Sequence, residues 1–173
     1  GVIGFADALQ RLRPDILVLL GDRFEILAAA QAAMVARVPI AHIAGGDITE
    51  GAFDDAIRHS ITKMAHMHFV TNAAAEKRVK QLGEDPRMIF NVGSPGLDTL
   101  LQTELLPRQK LEKMLGFTFR KHNLLVTFHP VTLDLEPSVV QLSALFQALD
   151  RLGPDFGIVF TKANADPEGR AMN

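Results

Sequence analysis

The sequence predicts an α/β fold of Rossmann-like parallel sheets, and three observations lead to this fold class. Its 173 residues are 47% hydrophobic and 22% charged, which is typical of a globular protein. Short apolar runs that end at glycine alternate with longer segments of helical pattern, as they do in βαβ units. The run at residues 16–20 is apolar throughout, as expected of a strand that is buried on both faces of a parallel sheet.

The first half of the chain alternates regularly between helix and strand patterns. Pro14 stops the first helix pattern, the second is rich in alanine, and the fourth begins at Asn72 as its N-cap and ends at Gly83. The fourth strand pattern is short, which favours a place near a sheet edge. We expect helices at residues 1–12, 23–38, 54–67 and 72–83, and strands at residues 15–21, 39–46, 67–71 and 88–93.

A polar helical stretch at residues 105–116 separates this block from a second one. The second block shows strand, helix and strand patterns at residues 123–132, 137–153 and 156–169. We therefore expect residues 1–103 to belong to one α/β domain, 104–122 to be a linker, and 123–173 to be the start of a second domain. Helix-like patterns lie at both chain ends, so we expect a section truncated at both ends.

Charge and composition exclude several classes of function. A net charge of −2 without a basic block gives no footprint for nucleic acid, and no apolar run is long enough to cross a bilayer. The absence of cysteine removes disulfides, thiolate metal sites and a cysteine nucleophile. It also fits a reducing compartment, and no secretory signal is visible, so we expect a cytoplasmic protein. Neither a P-loop nor a dinucleotide-binding glycine motif is present.

Candidate functional residues follow the first strand pattern. Ligands bind beyond the carboxyl ends of strands in open parallel sheets, and Gly21, Asp22 and Arg23 occupy this position. One interpretation is that Asp22 caps the next helix, a contribution of about 1 kcal/mol. However, a cation at a helix N-terminus opposes the helix dipole, so Arg23 indicates that an anionic ligand binds there.

Charged residues are concentrated after the second strand pattern, in the segment HIAGGDITEGAFDDAIRH at residues 42–59. Asp54 and Asp55 begin a helix, so their carboxylates can be satisfied by its free N–H groups. They can also form i,i+4 pairs with Arg58 and His59, each worth a few tenths of a kcal/mol. Capping and pairing together explain the second half of this segment.

The loop ahead of that helix is not explained by capping. It contains Gly45, Gly46, Asp47 and Glu50. Carboxylates that lie close together raise one another's pKa, so that one can act as an acid while another acts as a base. Acid–base catalysis and a purely structural role therefore both remain open for this loop.

The remaining histidines differ in their sequence context. His129 lies between an apolar strand and a proline, at the expected ligand-facing edge of a second sheet, although a histidine bonded to loop backbone would have the same context. His66 and His68 are expected to pack or to face solvent, because a zinc site there lacks the HExxH spacing. His122 is expected to be exposed in the linker. We expect neither a metal nor a cofactor.

Five motifs in order resemble those of the hydrolysing UDP-N-acetylglucosamine 2-epimerase family, and more narrowly its bacterial sialic-acid-type branch. They are LGDRFE, PIAHIAGGDITEGAFDDAIRHSITKMAHMHFVT, NVGSPGLD, FHPVT and KANADPEGR. The resemblance covers nearly the whole chain. It implies a glycosyltransferase-B-like architecture of two Rossmann-like domains, a homo-oligomer and a UDP-sugar substrate. On this resemblance, residues 1–103 are the C-terminal part of the first Rossmann-like domain and residues 123–173 are the start of the second.

The resemblance also implies a reaction, the conversion of UDP-N-acetylglucosamine to UDP and N-acetylmannosamine. The family's route is elimination of UDP to a 2-acetamidoglucal, followed by addition of water with inversion at C2. Such a route needs an acid and a base, and cationic groups that stabilise the leaving diphosphate. By match to the family motifs, the catalytic residues are Asp22, Asp54 and His129, and the substrate-binding residues are Arg23, Gly45, Gly46, Asp55, Arg58, His59 and Asn164.

One position departs from the family pattern. Relatives commonly have a catalytic glutamate where this chain has Ala44, so we expect Asp47 or Glu50 to take its place. The departure also leaves the sugar open, since related branches act on a 2,4-diacetamido or a GDP-linked sugar. Other interpretations are a glycosyltransferase of the same architecture, a metal-dependent phosphoesterase, and a binding or structural remnant. We expect the 173-residue chain alone to be inactive.

Overall fold

The computed structural model describes residues 1–131, 133 and 135–163. The chain divides into two compact units, Gly1–Thr103 and Glu104–Asn173, and each unit has its own parallel sheet. The segment expected to be a linker, 104–122, lies in the second unit, where it supplies a helix and the first residue of a strand. Within the described part of the chain, no helix is both long and apolar enough to cross a membrane.

The first unit contains every helix and strand that the sequence predicts for it, with one further α-helix and a short 3-10 helix at Pro86–Met88. Its helices are α1 (Val2–Leu12), α2 (Phe24–Val35), α3 (Asp54–Met64), α4 (Ala73–Gln81) and α5 (Pro95–Gln102). Its strands are β1 (Leu17–Leu20), β2 (Ile40–Ile43), β3 (Met67–Val70) and β4 (Ile89–Asn91). The additional helix, α5, was missed because its opening Ser-Pro-Gly has the composition of a turn, whereas Pro95 occupies the first helical turn, where proline is tolerated.

The four strands form one parallel sheet in the order β1-β2-β3-β4. Leu17 is paired with Ile40 across the first two strands, and His42 with His68 across the next two. Because neighbouring strands run in the same direction, all their carboxyl ends lie at one edge of the sheet. The predicted place of β4 at the side of the sheet is confirmed.

The expectation that β1 is buried on both faces is wrong for the described chain. Leu19 is 7% exposed, whereas Val18 and Leu20 are 58% and 56% exposed. Successive side chains of a strand point to opposite faces of its sheet. One face of β1 is therefore packed, and the other is uncovered in the described part of the chain.

The core of the first unit is built around α2. Its alanines Ala29, Ala30 and Ala33 belong to one buried cluster with Ile40 of β2 and Ile61 of α3. The small alanine side chains let the neighbouring elements approach the helix closely. Burial of an isoleucine side chain contributes about 1.5–3 kcal/mol, and both isoleucines are fully buried. Their packing therefore fixes α3 relative to β2, and this relation positions the residues that follow.

The second unit, taken by itself, repeats the α/β pattern. It contains α6 (Arg108–Leu115), β5 (His122–Val126), α7 (Ser138–Asp150) and β6 (Phe156–Phe160), and the two strands pair in parallel. The predicted strand–helix–strand order is confirmed. His122 is exposed as expected, but it is the first residue of β5 rather than a linker residue, and its ring stacks on Phe156 with 5.0 Å between the ring centroids.

Candidate active site

Polar segments follow β1, β2 and β3 at the same edge of the sheet. Asp22 lies two residues beyond β1, the loop at residues 44–53 follows β2, and Thr71 and Asn72 follow β3. The carboxyl ends of parallel strands are where ligands bind in open sheets. Asp47 of the loop after β2 is hydrogen-bonded to Thr71 and Asn72, and Arg58 of α3 links the same loop to Asp22.

The guanidinium of Arg58, from α3, links these segments. Its side chain is only 6% exposed. Its Nη1 donates to the backbone oxygen of Asp47 at 2.7 Å and to Asp55 Oδ1 at 3.0 Å. Its Nη2 donates to the Asp22 carboxylate and to Thr49 Oγ1, the latter at 2.8 Å. The planar fork of an arginine can serve several acceptors at fixed angles, so this one side chain holds the loops after β1 and β2 against α3.

Asp22 does not cap α2, although its position was compatible with capping. The N-cap of α2 is Arg23, and no side-chain cap hydrogen bond is formed. The Asp22 carboxylate instead pairs with Arg58, and its side chain is 27% exposed. The ion pair therefore fixes the direction of Asp22 while the carboxylate keeps some access to solvent at the sheet edge.

Arg23 lies beside this pair at the N-terminus of α2, as the sequence predicts. Its side chain is 43% exposed, and its Nε lies 3.3 Å from Glu25 Oε2. Exposed ion pairs between flexible side chains are weak and are screened by salt. A ligand anion could therefore replace Glu25 at little cost, and anion binding by Arg23 stays a prediction.

Gly45 and Gly46 allow the loop after β2 to lie against its neighbours. A Cβ atom at Gly45 would stand 2.9 Å from both His42 Nδ1 and Thr62 Oγ1. A Cβ atom at Gly46 would stand 2.5 Å from the backbone oxygen of Ala75, and Gly46 has a φ of +82°. Close approach thus explains why both residues are glycines, and contact of either with a substrate stays a prediction.

The two carboxylates of the loop, Asp47 and Glu50, differ in how they are held. Both oxygens of Asp47 lie 2.9 Å from Thr71 Oγ1, and Asn72 Nδ2 donates to Oδ1 at 3.2 Å. Glu50 is exposed, and within the described part of the chain its carboxylate accepts no hydrogen bond. Asn72 is also the predicted N-cap, since its Oδ1 accepts from Ala75 N at 2.9 Å. Thr71 was missed, although a polar residue directly after a strand is itself a signal for this edge.

The start of α3 brings further predicted residues to the same place. Asp54 and Asp55 are its first two residues, and both are partly buried. Asp55 Oδ1 accepts from Thr49 N at 3.0 Å, and Oδ2 lies 3.6 Å from His59 Nε2. The predicted i,i+4 pair of Asp55 and His59 is thus confirmed. In the described part of the chain the predicted pair of Asp54 and Arg58 is not formed, because Arg58 pairs with Asp55 at i,i+3 and with Asp22 instead. The other ring nitrogen of His59, Nδ1, is buried and has no hydrogen-bond partner among the described residues.

His42 lies beneath the site in β2, and it was not among the predicted site residues. Its side chain is fully buried, with Nε2 2.8 Å from the Gly21 backbone oxygen and Nδ1 3.2 Å from Thr62 Oγ1. Burial lowers the pKa of His42 to about 4, although the hydrogen bond to Gly21 acts in the opposite direction. The ring is therefore neutral at neutral pH. A polar residue within an otherwise apolar strand was the signal that could have identified it.

His68 is packed into the first unit, whereas His66 is exposed, and both outcomes are within the expectation that these residues pack or face solvent. His66 Nδ1 accepts a hydrogen bond from Ile40 N at 3.3 Å. His68 is 1% exposed, with Nε2 3.3 Å from Glu84 Oε2. Burial lowers the pKa of His68, although the neighbouring Glu84 carboxylate acts in the opposite direction. Among the residues that the structure describes, no group of three or more histidine, aspartate or glutamate side chains is placed to hold a metal ion.

Two predicted site residues belong to the second unit. His129 lies three residues beyond the end of β5 and is exposed, so it follows the carboxyl end of a strand as the sequence predicts. Asn164 lies outside the described residues. Participation of either residue in one site with Asp22 stays a prediction.

Comparisons with known proteins identify relatives of this chain. A sequence model of the UDP-N-acetylglucosamine 2-epimerase family matches residues 1–173. The chain is 41% identical over 169 residues to the GDP/UDP-N,N'-diacetylbacillosamine 2-epimerase (hydrolyzing) of Campylobacter jejuni. The aligned region covers 98% of this chain and 44% of that protein. It is 35% identical over 171 residues to the UDP-N,N'-diacetylbacillosamine 2-epimerase (hydrolyzing) of Legionella pneumophila, and this aligned region covers 99% of this chain and 45% of that protein.

A solved structure gives the same assignment of fold. The solved structure of UDP-GlcNAc 2-epimerase from Neisseria meningitidis, bound to UDP-GlcNAc, superposes on this chain with a TM-score of 0.79 at 18% identity. The match covers 98% of this chain and 48% of that one. This likeness confirms the predicted α/β fold class. The chain spans a little under half the length of the curated relatives it matches. Because the family match extends over residues 1–173, the chain belongs to the UDP-N-acetylglucosamine 2-epimerase family.

Proposed function

We propose that the full-length protein is a hydrolysing sugar-nucleotide 2-epimerase that works by acid–base catalysis with carboxylates. Membership of the family supports this reaction class. The observation that carries the proposal is the convergence on Arg58, which binds Asp22, the backbone of Asp47 and the carboxylate of Asp55 at one edge of the sheet. A capping role for these carboxylates would not require one buried cation to join three segments.

The proposed reaction has two halves, and each moves a proton at C2 of the sugar. In the first half a base removes the C2 proton, the C1–O bond breaks, a C1–C2 double bond forms, and the nucleoside diphosphate leaves. In the second half water gives up a proton to a base as its oxygen adds to C1, and an acid delivers a proton to the opposite face of C2. The C2 proton is not adjacent to a carbonyl group, so its removal must be coupled to departure of the leaving group. Carboxylates held in place on both sides of the sugar can supply both transfers.

We assign these proton transfers to Asp22 and Asp54. The ion pair with Arg58 fixes the orientation of the Asp22 carboxylate, as a base requires. Asp54 is the first residue of α3, one turn ahead of the same arginine, and the free N–H groups of a helix start also favour a carboxylate there. His129 is proposed to assist from the second unit.

We further propose that Asp47, rather than Glu50, replaces the glutamate that relatives have at the position of Ala44. Both oxygens of Asp47 are within hydrogen-bond distance of Thr71, whereas Glu50 is exposed. A catalytic group must be held near its productive geometry by surrounding hydrogen bonds, and Asp47 meets this condition. Asp47→Asn should lower kcat by about 100-fold or more, whereas Glu50→Gln should leave it nearly unchanged; the opposite ranking would assign the role to Glu50.

The leaving diphosphate needs cations and N–H donors. We propose that Arg23 at the start of α2 supplies a cation, and that Asn164 contacts the nucleotide. We propose that the loop glycines Gly45 and Gly46, together with Asp55 and His59, line the sugar. The buried and unpartnered Nδ1 of His59 is a polar atom in this group that a substrate could satisfy.

The sugar is proposed to be N,N'-diacetylbacillosamine, a 2,4-diacetamido sugar, carried by UDP. Two relatives that carry this sugar's name are 41% and 35% identical to the chain over nearly its whole length. UDP-N-acetylglucosamine, with N-acetylmannosamine as product, is the second candidate, on the resemblance of the sequence motifs to the branch that uses it. On the same resemblance, and on the absence of cysteine, we propose a homo-oligomer in the cytoplasm and an inactive chain when residues 1–173 are isolated.

The test is turnover of the full-length protein in heavy water with each sugar nucleotide alone, without any acceptor. The expected result is release of UDP together with an epimerised free sugar that carries deuterium at C2. Product that retains its original C2 proton would contradict a solvent-exchanged base, and a requirement for an acceptor would indicate a glycosyltransferase. The ratio of kcat/KM for the two sugars decides between the two candidate substrates.

A further inference from the structure

We propose that His42 and Thr62 are positioning residues that hold the Asp22–Arg58 ion pair in place from its buried side. His42 does so through the backbone carbonyl of Gly21, and Thr62 through the backbone carbonyl of Arg58. This inference rests on the proposed function, because it concerns the orientation of a proposed catalytic carboxylate. His42 and Thr62 both have no exposed surface. Neither is therefore proposed to contact the substrate, and any effect on catalysis must pass through the atoms they bind.

The contacts form a closed ring around the Asp22–Arg58 ion pair. His42 Nε2 lies 2.8 Å from the Gly21 oxygen, and Gly21 is bonded to Asp22 along the chain. The Asp22 carboxylate pairs with the Arg58 side chain. Thr62 Oγ1 lies 3.0 Å from the Arg58 backbone oxygen and 3.2 Å from His42 Nδ1. Each end of the ion pair is thus fixed at its side chain and at its backbone.

The chemistry of the acceptors decides which ring nitrogen of His42 carries the proton. A backbone carbonyl can only accept a hydrogen bond, so the bond to Gly21 requires a hydrogen on Nε2. Nδ1 of the neutral ring is then an acceptor that faces the Thr62 hydroxyl. That hydroxyl has a single hydrogen, and it shares this hydrogen between His42 Nδ1 and the Arg58 oxygen. Burial, which lowers the pKa of His42, keeps the ring in this neutral form.

The neighbouring strand offers an internal comparison. His68 is directly opposite His42 in the sheet register, and it is buried to the same degree, at 1% exposure. Its Nδ1 nevertheless has no hydrogen-bond partner among the described residues. His42 therefore differs from His68, because both ring nitrogens of His42 have partners, whereas within the described chain His68 has a partner only at Nε2, the Glu84 carboxylate. Gly45 completes the arrangement, since a Cβ there would strike His42 Nδ1 and Thr62 Oγ1, each at 2.9 Å.

The closing experiment uses the full-length protein and four variants: His42→Leu, His42→Gln, Thr62→Val and, as matched control, His68→Leu. His42→Leu removes the donor to Gly21 and should lower kcat by about 100-fold with little change in KM, the loss expected for a misplacement of about 1 Å. His42→Gln retains an N–H donor and should recover about tenfold of this loss. Thr62→Val keeps the shape but removes the hydroxyl, and should lower kcat by about tenfold.

The control separates positioning from stability. His68→Leu should reduce the melting temperature but should leave kcat within about twofold of wild type. A kcat for folded His42→Leu that equals wild type, or that equals the value for His68→Leu, would overturn the inference. If His42→Leu does not fold, the comparison of His42→Gln and Thr62→Val with wild type decides in the same way.

A second readout does not depend on activity. Nitrogen-15 NMR of histidine-labelled wild-type protein should show His42 as the neutral tautomer with its hydrogen on Nε2 between pH 6 and pH 8. A charged ring, or a hydrogen on Nδ1, would overturn the inference even if the enzyme is active. Absence of epimerase activity in wild type, with this tautomer present, would instead count against the proposed function.

Discussion

Replacement of the buried arginine, Arg58→Met, is the most direct test of how the candidate site is held together. Methionine keeps an unbranched apolar stem, so the change removes the guanidinium while much of the packing is retained. The guanidinium donates four hydrogen bonds, two of them to the carboxylates of Asp22 and Asp55. The variant leaves these two carboxylates without the cation that now pairs with them.

The size of the effect follows from burial. Removal of one partner from a fully buried ion pair costs about 3–5 kcal/mol, because the other charge is left uncompensated. Here the arginine side chain is 6% exposed, while the side chains of Asp22 and Asp55 are 27% and 33% exposed, so water can partly compensate for the loss. We therefore expect Arg58→Met to lower the free energy of unfolding by about 2–4 kcal/mol, a large part of the 5–15 kcal/mol typical of a domain. The free energy of unfolding of Arg58→Lys should lie between those of wild type and Arg58→Met, since one ammonium group keeps the charge but cannot serve acceptors in several directions.

The assay is urea denaturation of the full-length protein, followed by circular dichroism, together with kcat on the substrate. Arg87→Met is the matched control, because Arg87 is 88% exposed and pairs with Asp85, only two residues away. The control should be indistinguishable from wild type. The reasoning is refuted if Arg58→Met unfolds at the same urea concentration as wild type, or if Arg87→Met is equally destabilised.

Three further predictions concern the same unit. Gly46→Ala should destabilise the protein by more than about 2 kcal/mol, because its Cβ would lie 2.5 Å from Ala75 O at a φ of +82°. Gly83→Ala is the control: Gly83 has a φ of +89° but nothing within 4 Å, so the change should cost only the backbone strain of about 1–2 kcal/mol. Equal losses in the denaturation midpoints of the two variants would contradict this. His42 has a folded pKa of about 4 against an ordinary 6.5, so the unfolded chain binds a proton first as the pH falls. Unfolding free energy should therefore decrease by about 3 kcal/mol more between pH 6.5 and pH 4 in wild type than in His42→Gln, and parallel pH profiles would refute it. Asn72→Ala should cost about 1 kcal/mol through loss of the N-cap of α4, and a variant as stable as wild type in the same denaturation assay would count against it.

The sequence predicted much of the site because the relevant signals are local. Asp22 was identified as a candidate from its position after a strand, whereas Asp54 was assigned through the resemblance of its motif to the family. Parallel topology alone then placed them at one edge. The roles of individual residues were harder to predict, since Asp22 in isolation has the sequence context of a helix cap, yet its carboxylate is bound by Arg58 from a distant helix. Capping is decided within four residues of the chain, whereas an ion pair over 36 positions depends on how α3 packs.

The relative importance of Asp47, Glu50 and Thr71 also needed the structure. All three are polar residues in or after loops, and the sequence offers no means of ranking them. Hydrogen bonds between Thr71 and Asp47 arise because β2 and β3 are neighbours in the sheet. The buried histidine, His42, was missed for a related reason, because its two partners are Gly21, directly after β1, and Thr62 of α3.

By itself the sequence determined the parallel α/β class and, apart from the missed helix α5, the order of helices and strands, because hydrophobic periodicity and turn residues act over a few neighbouring positions. Its motifs also pointed to the family. Only the tertiary structure decided which carboxylates are joined by Arg58 and that Asp47, rather than Glu50, is held by hydrogen bonds. It also decided that β1 keeps one face uncovered in the described chain. These properties depend on the packing of Ile40 and Ile61 around α2, which brings together side chains that are far apart along the chain.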